Sequence, residues 1–570
     1  MSSPDLALAA LQKYFGHPRF RPGQEAPIRA ALQGRDSLTV LPTGGGKSMC
    51  YQIPAIVTQG LTLVVSPLIS LMKDQVDRLE QAGVRVGLLN TTMSYPERDK
   101  VLSAAARGEI KLLYIAPERL DSEEFQRRLR QLPVRLLAID EAHCISQWGH
   151  DFRPAYRRLG RVHELVGRVP VLALTATATP HVRKDIQEQL CLKDPLVTVA
   201  GFDRPNLHFR WEGVPNRDAR EQAVLWEVGS ARGTVIVYCS SRKQTEEVAG
   251  LLRASGYSAD SYHAGLPDVK RSKVQDRFMS GELSVVVATN AFGMGVDRPD
   301  VRKVIHYNMP GSIEAYYQEA GRAGRDGHDA ECVGLGVTWY DPKIHEAFID
   351  EDCPPRSRIG QLLDAARALG AAERPVREDA VVRHITTDER THRALTKALD
   401  RLEEASVIAR PSRDEIVLVR PDVTVDAALD WGGLEKQRKH RTQLLQGMVG
   451  YVDEPGCRRR YLMEYFEDPE AGSNVCSGCD NCDRRAGVSA RPAPLQETRQ
   501  SRRPAVRAAY EPVPTYSYPF KVNDWIHHPE FGTGVILAFG GREAHVRFPP
   551  HGVKRVDIFD PEIRAARNDE

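Results

Sequence analysis

Leu41-Pro42-Thr43-Gly44-Gly45-Gly46-Lys47-Ser48 decides the fold. Ahead of it, Ser37-Leu38-Thr39-Val40 reads as a short buried strand; behind it, Met49-Cys50-Tyr51-Gln52 opens a helix. A glycine-rich turn between strand and helix presents backbone N–H groups to a polyphosphate, and the helix N-terminus adds its positive dipole end. In that setting Thr43, Gly44, Gly45 and Gly46 form the cradle, Lys47 reaches the β- and γ-phosphates, and the Ser48 hydroxyl ligates magnesium. The strict pattern wants glycine where this chain has Leu41. A merely flexible turn is the bland alternative, and an apolar strand running into Gly46-Lys47-Ser48 argues against it.

About 20 residues upstream lies Phe15-Gly16-His17-Pro18-Arg19-Phe20-Arg21-Pro22-Gly23-Gln24. The Gln24 amide can pair with adenine's donor and acceptor edge, and Arg21 can stack on the base or contact phosphate. Downstream, Leu61-Thr62-Leu63-Val64-Val65 and Leu112-Leu113-Tyr114-Ile115 are continuous apolar runs typical of buried parallel strands. They alternate with helical segments, as in a doubly wound α/β sheet whose ligands bind at the carboxyl ends of the strands. Leu136-Leu137-Ala138-Ile139 runs into Asp140-Glu141-Ala142-His143. Asp140 is placed to hold magnesium and Glu141 to orient and deprotonate water. Acidic residues at a helix start are the alternative, and the buried strand just before them weighs against it. In the loop that follows, Trp148, Phe152 and Arg153 can stack on unpaired bases, with Gln147 beside them, and so report DNA to the nucleotide site. Hydroxyls in Ala173-Leu174-Thr175-Ala176-Thr177-Ala178-Thr179 can link nucleotide state to movement.

These blocks, in this order, resemble the RecQ family of superfamily 2 DNA helicases. Asp-Glu-Ala-His alone is widespread in that superfamily. Followed by Cys144-Ile145-Ser146-Gln147-Trp148-Gly149-His150-Asp151-Phe152-Arg153-Pro154, it is specific to the family. The resemblance implies an ATP-dependent motor moving 3′→5′ on single-stranded DNA and unwinding duplexes in recombination and repair. It also implies a base-stacking role at the position of His17, where the family often has an aromatic residue.

A second strand–helix series begins at Thr234-Val235-Ile236-Val237-Tyr238 and continues through Val285-Val286-Val287-Ala288 and Val304-Ile305-His306-Tyr307-Asn308. It has no P-loop, so this lobe should close over the nucleotide held by the first. Arg322 and Arg325 are three apart, on one face if helical. A guanidinium crossing the cleft would stabilise charge on the γ-phosphoryl group. The family's motif points to Arg325 as that finger, with Arg322 in support.

The expected architecture is α/β: two RecA-like doubly wound parallel-sheet lobes at 1–205 and 206–350, then smaller modules. Three helical patterns and a strand suggest a winged-helix-like domain at 355–425, with a helical spacer as the alternative. Cys457, Cys476, Cys479 and Cys482 form a four-thiolate set suited to structural zinc, in a helical module at 430–485; an iron–sulfur cluster is the competing reading. Arg458, Arg459 and Arg460 could touch DNA or form a solvated basic turn. Residues 486–518, rich in Pro, Arg and Ala, read as a flexible basic linker. The tail at 519–565, with His528-Pro529-Glu530-Phe531-Gly532-Thr533-Gly534, resembles the Tudor-like small β-barrel of UvrD/PcrA helicases, which implies RNA polymerase as a possible partner.

The 570 residues are 41% hydrophobic and 27% charged, with net charge +2. That excludes a wholly basic nucleic-acid coat but not basic grooves. No apolar run is long enough for a membrane span, and no secretory signal is visible. Six scattered cysteines fit a reducing compartment. The expectation is therefore a cytoplasmic, nucleoid-associated monomer using ATP, Mg2+ and Zn2+ on single-stranded and 3′-tailed DNA. A duplex translocase without strand separation, or a DNA-bound adaptor recruiting RNA polymerase, are the other classes weighed.

Overall fold

Apolar runs with no polar face need partners on both sides, and here they become central strands of parallel sheets. The first sheet contains β1 (Ser37–Val40), β2 (Leu61–Val65), β3 (Val86–Leu89), β4 (Leu112–Ile115), β5 (Val134–Ile139), β6 (Val171–Thr175) and β7 (Leu196–Val199). Its order is β3-β4-β2-β5-β6-β1-β7, all parallel. Every residue of β1, β2, β4 and β6 is buried. Each Val, Leu or Ile so covered contributes roughly 1.5–3 kcal/mol. Only β6 separates β1 from β5, so the turn after β1 and the carboxylates after β5 emerge on one sheet edge, one strand apart.

The second sheet contains β8 (Leu207–Gly213), β9 (Thr234–Tyr238), β10 (Ala259–Tyr262), β11 (Val285–Ala288), β12 (Val301–His306) and β13 (Ala330–Gly336). Its order, β10-β11-β9-β12-β13-β8, is again wholly parallel, with β8 at an edge. The computed structural model describes residues 3–67, 69–90, 93–149, 151–293, 298–336, 340–412, 414–468, 476, 478–487, 519–520, 524–540, 543–549, 551–560 and 562–566. It divides into two units, residues 1–213 with 224–492, and residues 214–223 with 493–570. Most of the expected linker at 486–518 lies outside the described residues, as do Leu68, His150 and residues 294–297.

Helices Arg356–Ala368, Glu378–Ile385 and Glu389–Glu404 enclose a core of their own with a three-stranded antiparallel sheet. That sheet is β14 (Val376–Arg377), β15 (Ile408–Ser412) and β16 (Glu415–Leu418), in the order β14-β16-β15. Helix–strand–helix–helix–hairpin is the winged-helix order. Its attachment differs from the sequence reading. Helix Asp341–Asp352, assigned there to the end of the second lobe, packs on the long helix Trp431–Asp453 of the cysteine module. Arg438 pairs with Asp350 and Arg441 with Asp352 across that contact. The winged helix is thus an insertion between two helices that pack together.

In the second unit, β17 (Trp525–His528), β18 (Gly532–Gly540), β19 (Glu543–Phe548), β20 (Gly552–Asp557) and β21 (Arg564–Ala565) form an antiparallel sheet ordered β20-β19-β18-β17-β21. Ile526 of β17, Phe548 of β19 and Val556 of β20 share one core. Among the described residues β20 and β21 do not pair. His527 and His528 end β17, and the His528 ring stacks on Phe531, 4.7 Å between centroids.

Candidate functional site

Gly44 and Gly46 adopt φ of +84° and +74°, a region open to glycine and strained for other residues. Gly45 is constrained by space: a Cβ there would lie 3.0 Å from the Pro42 carbonyl. Leu41 is 1% exposed, and a Cβ on Gly23 would fall 2.5 Å from its Cδ2. The leucine where the strict pattern has glycine therefore packs beneath the Phe20–Gln24 segment and ties it to the phosphate turn.

Gln24 and Arg21 work on that turn directly. Gln24 Nε2 donates to the carbonyls of Gly45 (3.1 Å) and Gly46 (3.0 Å), and its Oε1 accepts from Arg21 N. Arg21 Nη1 donates to Gly44 O at 2.6 Å. Both side chains, the expected base readers, thus brace the phosphate turn in the structure. His17 lines the same cavity.

That cavity, about 1360 Å³, is lined by His17, Arg21, Gln24, Thr43, Gly44, Gly46, Lys47, Ser48, Asp140 and Glu141 from the first lobe and by Arg322 and Arg325 from the second. The two arginines reach it from a run of turns after helix Ile313–Ala320, not from one helical face. Arg322 is 4% exposed, and its Nε has no acceptor among the described residues, which fits an anion arriving from the cavity.

Asp140 is anchored where β5 ends, its N–H donating to Val65 O and its carbonyl accepting from Tyr156 Oη. Burial, then the adjacent Glu141 carboxylate, push Asp140 up to about 7, with Lys47 acting in the opposite direction. A divalent cation would relieve both penalties. Glu141 has φ 47° and ψ 48°, left-handed geometry that costs a non-glycine residue about 1–3 kcal/mol and clusters at functional sites. Its carboxylate lies 3.3 Å from His143 Nδ1, which is also 2.8 Å from Thr175 Oγ1. Glu141, His143 and the Thr175 hydroxyl at the end of β6 thus form a continuous chain.

The loop after it is more occupied than expected. Arg153 donates to Pro67 O at 2.9 Å and pairs with Asp151, so it ties the loop to the end of β2. The Phe152 ring carries the Arg157 guanidinium at 5.5 Å, and Gln147 lies against the same arginine. Trp148 meets His181 and His440 edge-on at 5.2 and 5.3 Å.

The four cysteine sulfurs lie within 4.8 Å of one another, and Cys457 Sγ is 3.3 Å from Cys476 Sγ. Four thiolates so gathered can hold one tetrahedral zinc. Cys457 caps helix Arg458–Tyr465, and Cys479 bridges to Phe209 of β8. The neighbouring arginines depart from expectation. Arg458 is buried against Asp480 at 2.6 Å, and Arg459 against Asp203 at 2.8 Å. Neither is presented to DNA. The hinge between the lobes, including Arg204, was missed because its contacts are with backbone carbonyls, which no motif records.

The two parallel-sheet lobes and their shared cavity define a two-lobed P-loop fold. Models for "DEAD/DEAH box helicase", "Helicase conserved C-terminal domain" and "RecQ zinc-binding" match residues 21–186, 221–327 and 423–483. The chain is 37% identical over 484 residues to a probable ATP-dependent DNA helicase RecS of Bacillus subtilis, covering 83% of this chain and 91% of that one. It is 45% identical over 360 residues to the ATP-dependent DNA helicase RecQ of Pasteurella multocida, covering 62% and 56%. The chain thus spans a little over half the length of that and similar relatives. The DNA-bound crystal structure of the DUF1998 helicase MrfA shares the fold, with TM-score 0.51 and 22% identity over 75% of this chain and 65% of that one. This chain belongs to the RecQ family of superfamily 2 helicases. The four-cysteine cluster lies within the family's zinc-binding module, and no helix among the described residues is long and apolar enough to cross a membrane.

Proposed function

We propose that the chain is an ATP-driven DNA helicase, moving 3′→5′ on single-stranded DNA and separating duplexes in recombination and repair. The observation that carries this reading is the convergence of Lys47, Asp140 and Glu141 from one lobe with Arg322 and Arg325 from the other on a single cavity. Lys47 pairs with the β- and γ-phosphates. Ser48 and Asp140 hold Mg2+, which when bound neutralises phosphate charge. Glu141, poised by its backbone and by His143, orients the attacking water and takes its proton. Arg325, with Arg322, stabilises the charge that develops on the γ-phosphoryl group. His17, Arg21 and Gln24 receive the base, the last two exchanging loop carbonyls for the adenine edge. Gln147, Trp148, Phe152 and Arg153 sense DNA and pass its presence to Asp140 and Glu141 through the same loop. Cys457, Cys476, Cys479 and Cys482 hold Zn2+ as a structural ion.

Lys47→Ala should abolish ATP hydrolysis and unwinding while sparing DNA binding; retained ATP turnover contradicts the site. Unwinding of a 3′-tailed duplex but not a blunt one is expected, and ATP hydrolysis with neither unwound points to a duplex translocase instead. The chain acts as a monomer at the nucleoid. Its C-terminal sheet takes RNA polymerase as partner, a reading supported by the His528–Gly534 stretch. Polymerase recovery unchanged on deleting residues 519–570 would sink that last reading.

A further inference from the structure

The chain crosses between the lobes at residues 200–206, after β7 and outside any helix or strand, and its side chains make contacts on two sides. On one side Arg459, from the helix capped by Cys457, pairs with Asp203 at 2.8 Å and donates to the carbonyls of Pro205 (3.3 Å) and Leu207 (2.8 Å). Phe202 stacks on Phe466 of the same module, 4.5 Å between centroids and 13° between planes, and its N–H donates to Asp468 at 2.9 Å. On the other side Arg204 lies between the phosphate turn and the arginine turn. Its Nη1 donates to Thr43 O of the phosphate turn at 3.0 Å, and its Nη2 donates to Ala323 O (3.1 Å) and Gly324 O (3.0 Å) of the arginine turn. Asn206 Nδ2 adds a bond to Gly324 O at 2.8 Å.

We propose that Arg204 is a positioning residue that holds the arginine turn of the second lobe against the phosphate turn of the first, and that Arg459 of the zinc module sets where Arg204 stands. This rests on the ATP-hydrolysing reading of the cavity. The carbonyls that Arg204 grips belong to the two residues immediately before Arg325, so the grip fixes where that guanidinium enters. Crowding agrees: a Cβ on Gly44 would lie 3.5 Å from Arg204 Nη1 and 3.6 Å from Arg325 Cγ, and one on Gly321 would lie 3.3 Å from Thr43 Cβ. Among the described residues Arg204 meets no carboxylate, and its acceptors are backbone carbonyls and the Asn206 amide. The planar fork sends one nitrogen to each lobe, whereas a lysine ammonium offers a single nitrogen and cannot occupy both positions. Zinc binding and ATP turnover are then coupled through two adjacent hinge residues, Asp203 and Arg204.

The test uses the full-length, zinc-loaded chain. Arg204→Gln should lower kcat for DNA-stimulated ATP hydrolysis about tenfold or more, with KM for ATP within about twofold, because orientation rather than binding is lost. Arg204→Lys should fall between the two. Arg459→Lys should also lower kcat, and adding it to Arg204→Gln should slow turnover no further. A kcat for Arg204→Gln within about twofold of the parent overturns the proposal, as does a double variant whose losses multiply. A readout independent of hydrolysis uses fluorescence energy transfer between labels at Lys100→Cys and Lys243→Cys, one on each lobe, with the exposed Cys191 removed as Cys191→Ser. Arg204→Gln should change the transfer efficiency of the nucleotide-free chain. An unchanged value overturns the proposal even if the parent hydrolyses no ATP, an outcome that would by itself count against the proposed function and not against the hinge.

Discussion

The cysteine module and the winged helix both follow the motor, and they are attached in opposite ways. The module is joined to the motor by groups taken out of water. Arg458 and Asp480 are each about 4% exposed in their side chains, Trp211 N donates to Asp480, and Phe209 N donates to Gly478 O. The winged helix has a separate core and meets its neighbours through partly solvated charges: Lys397, 44% exposed, pairs with Glu351 and Asp352 of helix Asp341–Asp352. Water decides what each attachment contributes. Breaking a buried pair leaves an uncompensated charge in the interior, whereas breaking an exposed pair returns both partners to solvent. The first region is part of the motor, and the second is carried by it.

Removing the metal should break the comparison most strongly. Structural zinc contributes roughly 10 kcal/mol or more to folding in small modules, so chelation or Cys479→Ser should unfold the module. The hinge contacts would go with it, and DNA-stimulated ATP hydrolysis should collapse while the winged helix keeps its fold. Hydrogen exchange resolved by segment distinguishes the two regions. Next in size is Arg458→Ala, which takes from Asp480 its buried partner and leaves it only the exposed Arg484; it should cost up to about 3–5 kcal/mol, read from chemical denaturation. Smallest is Lys397→Ala, expected to cost less than about 1 kcal/mol on the same assay. Asp352 gives that weak contact a pH signature. Burial pushes its carboxyl up, but Arg441 and Lys397 outweigh this and hold it below the usual carboxylate range. Its ionised form therefore stabilises the contact above about pH 4, the ordinary value, and that contribution is lost as pH falls through the lower folded value. Protease sensitivity of the winged-helix junction should rise only in acid, and equal sensitivity at neutral pH would remove Asp352 from the account.

The lobes were legible because their signals are local. A run such as Leu61–Val65 has no polar face to expose, and a Gly-Lys-Ser turn after such a run has few other uses. The same locality explains the errors. Arg458 and Arg459 looked like a basic surface because a charge in a sequence carries no mark of burial. Their partners stand 22 and 256 residues away, at Asp480 and Asp203. Helix Asp341–Asp352 looked like the end of a lobe because its mate begins at Trp431, beyond an entire inserted domain.

By itself the sequence determined the two parallel-sheet lobes, the phosphate turn, the paired carboxylates and the four thiolates. In each of these the chemistry follows from residue type at short spacing. Only the tertiary structure decided which charges are buried, where the inserted domain is anchored, and that Arg204 joins the phosphate turn to the arginine turn. Those properties depend on which distant groups exclude water from one another, and that is a fact about packing.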